Sequence, residues 1–444
     1  MSTLRVIPGS PLRGTITLPG DKSISHRAAL FASLAGGESR ADNFLESGVT
    51  AAMLSCLTAL DIEWTLENGR LRVNGRGLAG WQHPYGSLNC GNSATTLRLL
   101  AGAVAAAGIE AVLDGSEGLR RRPMGRIIEP LREMGVVIQA APGDCAPLHI
   151  IARPSGEKLK STTHVLAVAS AQVKSCLMLA GLAADGVTRI VEPSRSRDHS
   201  ERMLAAMGVP VQSGPAVDIH GWQVSLSPPP GALTPLNITI PGDFSAAAFL
   251  IVAGLITPGS DLLIPGVGLN PGRTGLLETL LEMGADIQVL NPREQAGEPV
   301  GDLRVRASLL RAGQISGQRV VDMIDEFPVF AAAAAYADGP SSVCDAQELR
   351  YKESDRIGAL CAELARLSLQ VEEAADGFTI HGQPALPGGA SVDPHRDHRL
   401  AMALAVAGLA AQNPVEVQGA EIIHESFPGF VEQLTALGAK VELC

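Results

Sequence analysis

Aromatic residues make up only 3% of the 444-residue chain, and basic residues are in deficit: 35 Lys and Arg against 46 Asp and Glu, a net charge of −11. A nucleic-acid binder needs a basic footprint and often aromatic stacking platforms, so this composition argues against that class. The seven cysteines, at 56, 90, 145, 176, 344, 361 and 444, are odd in number, widely spread and free of any C-x-x-C pair. That pattern points away from a disulfide framework or structural zinc and towards a reduced, cytoplasmic chain. No apolar h-region lies within residues 1–10, so no signal peptide is expected. The longest apolar run, 246–256, is about half of what a membrane span needs and reads as a buried helix. Walker A and G-x-S-x-G sequences are missing. Gly75-Arg-Gly77-Leu-Ala-Gly80 matches G-x-G-x-x-G but runs into Trp-Gln-His-Pro rather than a helix, so the dinucleotide reading fails on context. His395, Asp397 and His398, with Asp393 nearby, resemble metal ligands, but Pro394 intervenes and no second cluster completes a site; no metal is expected.

The chain is rich in apolar and turn-forming residues. Hydrophobic residues are 46% and charged residues 18%, enough to bury a large core, and the length suggests two to four domains. Its 48 glycines and 29 prolines are together about 17% of the chain, against roughly 12% in average usage, so turns are frequent. A repeat organises the whole. Six segments share a helix-like stretch ending in Leu-x-x-Met/Leu-Gly or a close variant, then a short apolar strand: 51–64, 123–138, 200–211, 274–287, 357–371 and 430–441. Their turn positions, Asp61, Gly135, Gly208, Gly284, Ser368 and Gly438, recur at intervals of 70 to 84 residues. Helical spacing gives each segment one buried face, and glycine after the last turn supplies the left-handed cap that ends the helix. The fold class is therefore α/β, six helix–strand units long. A second symmetry halves the chain. Ile16-Thr-Leu-Pro-Gly-Asp21-Lys-Ser23 is echoed 222 residues later by Ile238-Thr-Ile-Pro-Gly-Asp243-Phe-Ser245, and each copy leads into a helix-like stretch, 25–34 and 246–255. Two domains of three units follow, 15–235 and 1–14 plus 236–444, with hinges near 14–20 and 233–241.

Cations are scarce, so the places where they gather with Gly, Ser and Asn are informative. Asp21-Lys22-Ser23-Ile-Ser25-His26-Arg27 opens a helix, where free N–H groups and the dipole favour an anion. Ordinary capping with exposed charges is the plain alternative there. Cys90-Gly-Asn-Ser93-Ala94-Thr-Thr-Leu97-Arg98 runs into a helix over 97–107, and such a start cradles phosphate or carboxylate. Arg120-Arg121-Arg122 is self-repelling unless an anion or carboxylates offset it; a solvated loop is the alternative. In Ser170-Ala171-Gln172-Val-Lys174, Gln and Lys stand inside an apolar stretch and need partners, which a ligand can provide. Ser194-Arg195-Ser196-Arg197 again precedes a helix, and the second half carries Asp325-Glu326, Lys352-Glu353-Ser-Asp355-Arg356 and Asp397-His398-Arg399. Recurrence of such starts in a symmetric chain points to one polyanionic site, with Asp325 and Glu353 as acid–base candidates tuned by nearby cations.

In order and combination these motifs resemble those of the EPSP synthase (3-phosphoshikimate 1-carboxyvinyltransferase) family, from Pro19-Gly-Asp-Lys-Ser23 to Ser426-Phe-Pro428. The resemblance implies two similar domains, each an inside-out α/β barrel of three βαβαββ units. It implies a transferase that moves the enolpyruvyl group of phosphoenolpyruvate to the 5-hydroxyl of shikimate 3-phosphate, in aromatic amino-acid biosynthesis. Lys22, Ser23, Arg27, Ser170, Ala171, Gln172, Ser196, Arg197, Asp325 and Lys352 would bind shikimate 3-phosphate. Lys22, Ala94, Arg122, Gln172, Arg356 and Arg399 would bind phosphoenolpyruvate. Asp325 would be the base, assisted by Lys22, and Glu353 would donate and recover the C3 proton. The arginines would stabilise charge without a metal, and no cofactor is implied. Domain closure on the first substrate would exclude water. A cytoplasmic monomer with small-molecule substrates, and neither nucleic-acid nor membrane partners, is expected.

The chain departs from the family pattern at Ala94, where most members have Gly, at Glu425, near a usual Lys, and at Glu348, where Asn is frequent. Ser170-Ala-Gln-Val-Lys174 and Arg197-Asp-His-Ser-Glu201 resemble the glyphosate-tolerant class II branch, although that branch's Asn-Pro-Thr-Arg reads Asn270-Pro-Gly-Arg273 here. Two alternatives compete. A UDP-N-acetylglucosamine enolpyruvyl transferase typically carries a Cys in its mobile loop; residues 114–125 have none. A catalytically inactive anion-binding scaffold would have no need of Lys22, Asp325 and Glu353.

Overall fold

The computed structural model describes residues 2–217 and 220–443. The six described cysteines are free thiols; Cys444 lies outside the described residues. Two compact units form. One comprises Gly20–Ile240 with Gln295–Glu298; the other comprises described residues 2–19, 241–294 and 299–443.

Each unit carries three four-stranded sheets of one design. The sheet of Leu88–Asn89, Ala111–Asp114, Ile138–Ala141 and Cys145–Ile150 shows it. The first two strands pair in parallel across a helix, the last two form an antiparallel hairpin, and the fourth strand lies beside the second. A parallel pair needs a crossover, and the helix supplies it; the result is βαβαββ. Two of the sheets take their first strand from far along the chain. Arg13–Thr15 pairs with Asp261–Gly268, and Asn237–Thr239 pairs with Gly36–Asp42. This pairing moves the boundaries from the expected 15 and 235 to 19/20 and 240/241, because each strand stays with the sheet that holds it. The 20–240 unit also includes residues 295–298, which the repeat pattern did not reveal. They are the tip of the hairpin Asp286–Gln295/Glu298–Arg306, whose Glu298 carboxylate meets His199 Nδ1 at 2.8 Å.

Helices form two classes. Lys22–Leu34, Ala94–Ala107 and Ala171–Gly181 in one unit, and Phe244–Ile256, Phe327–Ala334 and His398–Gly408 in the other, are buried almost throughout. Their small residues allow close approach: a Cβ at Gly102 would sit 2.1 Å from the Cys176 carbonyl oxygen. The helices of the six repeated segments, such as Gly125–Glu133 and Arg356–Arg366, bury one face only. The apolar run 246–256 lies in a fully buried helix, as its composition requires. Among the described residues no helix is long and apolar enough to cross a membrane.

Capping sets three helix starts earlier than the sequence patterns suggested. Asp21 accepts from Ile24 N, Ser93 from Thr96 N and Asp243 from Ser245 N, so the helices begin at Lys22, Ala94 and Phe244 rather than at 25, 97 and 246. Lys22, Ser23 and Ala94 therefore occupy first turns, where N–H groups lack intrahelical partners.

All six repeat turns are left-handed, with φ of 59, 91, 90, 92, 66 and 103° at Asp61, Gly135, Gly208, Gly284, Ser368 and Gly438. Ser368 carries a strain that the glycines avoid. Ser368→Gly is expected to stabilise its unit by about 0.5–1 kcal/mol after glycine's extra chain entropy is subtracted. A urea midpoint unchanged from the parent would contradict this.

Candidate functional site

Each unit presents the starts of its three buried helices as one polar cluster. In the 20–240 unit, Lys22 and Ser23 open the first helix, Ala94 follows the Ser93 cap of the second, and Ala171 and Gln172 follow the Ser170 cap of the third. Hydrogen bonds tie these starts together. His26 Nδ1 lies 2.8 Å from the Lys22 carbonyl oxygen and His26 Nε2 lies 3.4 Å from Ser93 Oγ. A carbonyl only accepts, so Nδ1 carries the proton and Nε2 accepts from the serine. Gln172 Oε1 accepts from Arg98 at 2.6 Å and its Nε2 donates to Thr95 Oγ1 at 2.9 Å.

Arg27 is 3% exposed. Its Nε donates to Ser200 Oγ (2.7 Å), Nη1 to the Ser23 carbonyl (3.0 Å) and Nη2 to Ser175 Oγ (2.8 Å). Burial, with some repulsion from Arg197, lowers its pKa to about 10 even against the pull of Glu201 and Asp21. Arg27 is thus a buried cation with its donors engaged, close to the half-buried Arg197. In the arginine run, Arg120 is bound to Asp114 (2.5 Å) and Arg121 to Glu117, so carboxylates offset the charges of these two. Arg122 N–H bonds the Leu119 carbonyl. Ser196 is 4% exposed, and its hydroxyl donates to Glu192.

His26 is buried, and burial, with Lys22 and Arg27 nearby, lowers its pKa to about 4 from 6.5. The unfolded chain therefore binds a proton that the folded chain refuses between these values, and stability is lost as pH falls from about 6.5 towards 4. From pH 7 to 4.5 this group should cost its unit about 2–3 kcal/mol. Urea titrations at both pH values are expected to show a smaller acid loss in His26→Asn; an equal loss would mean that His26 is not the group responsible.

In the other unit the starts carry carboxylates set among cations. The Asp325 carboxylate lies 3.8 Å from Lys352 Nζ, 3.7 Å from Arg356 Nη1 and 3.9 Å from Arg399 Nη2. Arg399 Nη1 also donates to the Asp325 carbonyl at 3.0 Å. Arg356 is 2% exposed; its Nε bonds Asp397 (2.7 Å) and its Nη2 bonds Glu353 (2.7 Å). Burial works against the Arg356 charge, but Asp397, Glu353 and Asp325 outweigh it and raise the pKa. Among the described residues Arg356 Nη1 has no hydrogen-bond acceptor. A buried guanidinium nitrogen with an open donor is an anion receptor in waiting.

Candidate ligands of the second half resolve differently. His395 Nε2 contacts Glu363 at 3.1 Å and Asp397 serves Arg356, so both are engaged within the protein. Asn270 and Arg273 are buried, and Arg273 bonds Asp243 at 2.7 Å and Ser245 at 3.0 Å. Glu425 stands 3.9 Å from His398 Nδ1. Lys174 takes its partners from the protein and not from a ligand: Glu192 at 2.9 Å and Glu201 at 2.8 Å. The sequence alone assigns Glu192 no role, and it marks Arg98 and Asp397 only as members of polar clusters. The signal for Glu192 was Lys174 itself, since a lysine in an apolar helix demands a carboxylate.

The sequence model for EPSP synthase (3-phosphoshikimate 1-carboxyvinyltransferase) matches residues 6–434. A 3-phosphoshikimate 1-carboxyvinyltransferase of Citrifermentans bemidjiense is 47% identical over 436 residues, 98% of this chain and 99% of that one. Its counterpart from Desulforudis audaxviator is 47% identical over 437 residues, 98% and 99% of the two chains. The solved EPSP synthase of Acinetobacter baumannii superposes with a TM-score of 0.89 at 37% identity, covering both chains fully.

Proposed function

This chain belongs to the EPSP synthase (3-phosphoshikimate 1-carboxyvinyltransferase) family, and on that ground we propose that it transfers the carboxyvinyl group of phosphoenolpyruvate to the 5-hydroxyl of shikimate 3-phosphate, releasing phosphate. The observation that carries the reading at the level of residues is the Asp325 carboxylate set among Lys352, Arg356 and Arg399, with Arg356 Nη1 open. Such a group suits both a base for a hydroxyl and a receptor for a carboxylate.

Lys22, Ser23, Ser170, Ala171, Gln172, Ser196 and Arg197 hold shikimate 3-phosphate, and Arg27 adds its buried charge; Asp325 and Lys352 take the ring hydroxyls. Arg356 and Arg399 hold the phosphoenolpyruvate carboxylate, while Lys22, Ala94, Arg122 and Gln172 line its phosphate. Gln172 then exchanges its bonds to Arg98 and Thr95 for bonds to the substrates. Asp325 takes the 5-hydroxyl proton, assisted by Lys22, as the oxygen attacks C2 and C3 receives a proton from Glu353. Loss of a C3 proton to Glu353 expels phosphate from the tetrahedral intermediate. Phosphate release in the presence of both substrates, and none with either alone, is the direct test; release without shikimate 3-phosphate would overturn the reading.

We further propose that this chain is of the glyphosate-tolerant class II branch, which Ser170-Ala-Gln-Val-Lys174 and Arg197-Asp-His-Ser-Glu201 resemble, and that the Ala94 methyl weakens glyphosate binding. Ala94 is 6% exposed at a packed helix start, and glyphosate is longer than phosphoenolpyruvate. Overpacking costs about 1–3 kcal/mol, roughly 5- to 150-fold in affinity. Ala94→Gly is expected to lower the glyphosate Ki far more than the phosphoenolpyruvate KM. Equal shifts in the two, or tight inhibition of the parent enzyme, would refute this.

A further inference from the structure

The third buried helix of the 20–240 unit hides an ionic cluster that the proposed chemistry does not use. Lys174, one turn into that helix, is 0% exposed, and so is Glu192 at the end of the strand Thr188–Glu192. Lys174 Nζ meets Glu192 Oε2 at 2.9 Å and Glu201 Oε1 at 2.8 Å, and donates to the Ser196 carbonyl at 3.2 Å. Glu192 reaches further. Its Oε1 accepts the Ser170 N–H at 2.8 Å, and its two oxygens share the Ser196 hydroxyl at 2.7 and 2.8 Å.

Stability gives little reason to keep such a cluster. Replacing buried ion pairs by apolar residues of similar volume is often neutral or stabilising. What an apolar replacement would remove is the common anchor of Ser170 and Ser196, which belong to two different segments. We infer that Glu192 is a positioning residue of the shikimate 3-phosphate site: it fixes Ser170 and Ser196 relative to each other, and Lys174 locks it in place. The inference rests on the assignment of those two serines to shikimate 3-phosphate. Burial works against the charge of Lys174, but Glu201 and Glu192 outweigh it and raise its pKa, so the lock persists at neutral pH. Lys174 also offsets the Glu192 charge, which would otherwise repel a bound phosphate from below.

The test separates reach from charge. Glu192→Asp keeps the charge and its pairing with the flexible Lys174, but is one methylene too short to hold both serines. It is expected to weaken shikimate 3-phosphate binding, measured by calorimetry, about tenfold or more, with the phosphoenolpyruvate KM little changed and the unfolding midpoint lowered only by the lost hydrogen bonds. Glu192→Gln keeps the reach and should lose less. A cluster that only holds the fold together would move the unfolding midpoint and leave the split between the two substrates untouched. Binding by Glu192→Asp as tight as the parent's overturns the inference. Should Glu192→Asp not fold, Glu192→Gln with and without Ser196→Ala replaces it: the two changes are expected to be non-additive, and strict additivity overturns the inference. Ser170→Ala and Ser196→Ala keep the two levels apart. If neither weakens binding, the serine assignment fails first; if they do and Glu192→Asp does not, the positioning role alone fails.

Discussion

Asp325→Asn is expected to keep the fold and lower kcat by about 100- to 10,000-fold, the usual range for losing a general base. Asparagine has the same shape, and the contact that seats this segment, Arg399 Nη1 on the residue 325 carbonyl oxygen at 3.0 Å, is to the backbone and survives. What disappears is the acceptor for the hydroxyl proton and the negative charge facing Lys352, Arg356 and Arg399. Binding of shikimate 3-phosphate should fall far less than turnover, since the amide still offers an oxygen to the ring hydroxyls. Steady-state kinetics beside circular dichroism decide the matter: a variant that folds and turns over at the parent's rate removes Asp325 from the role of base.

Asp397→Asn should be the most damaging change to stability. Asp397 is 0% exposed and bonds Arg356 through Nε at 2.7 Å, with Nη2 at 3.4 Å. Removing one partner of a buried pair leaves an uncompensated charge and costs about 3–5 kcal/mol. Glu353 and Asp325 remain near Arg356, which places the expected loss towards the lower end. Asp397 also caps the helix His398–Gly408 by accepting from Arg399 N at 2.9 Å. Asparagine caps as well as aspartate, so the loss reports the charge and not the cap. Burial opposes the Asp397 charge, but Arg356 outweighs it and holds the pKa below the usual carboxylate value. The contribution is therefore present above about pH 4 and lost as pH falls through the folded value, so parent and variant converge in acid. Arg356→Met/Asp397→Asn, with both charges gone, should recover most of the stability while remaining inactive. Urea unfolding of the three proteins is the measurement, and a single variant as stable as the parent would falsify the pairing argument.

The repeat, its turns and the clusters at the helix starts were legible in the chain because short-range rules write them. A helix face, a cap and a left-handed turn each occupy a few neighbouring residues, so Asp61 and Ser368 could be aligned with four glycines before any fold was known, and all six prove left-handed. The same locality explains why Lys22, Ala94 and Ser170 could be marked: small polar residues ahead of an apolar helix leave N–H groups open wherever the helix lies. What those rules do not carry is partnership. Lys174 announced a need for company, yet whether a ligand or a carboxylate met it depended on where the strand ending at Glu192 came to rest. Arg356 and Asp397 are 41 residues apart in the chain, and Arg27 and Ser200 are 173 apart. The strands 13–15 and 237–239 join sheets formed by distant residues, which is why the unit boundaries shifted, and residues 295–298 changed sides with the contact of Glu298 to His199. Those outcomes come from backbone pairing and desolvated charge, long-range terms that have no period in the sequence and are settled only when the sheets close and water leaves the core.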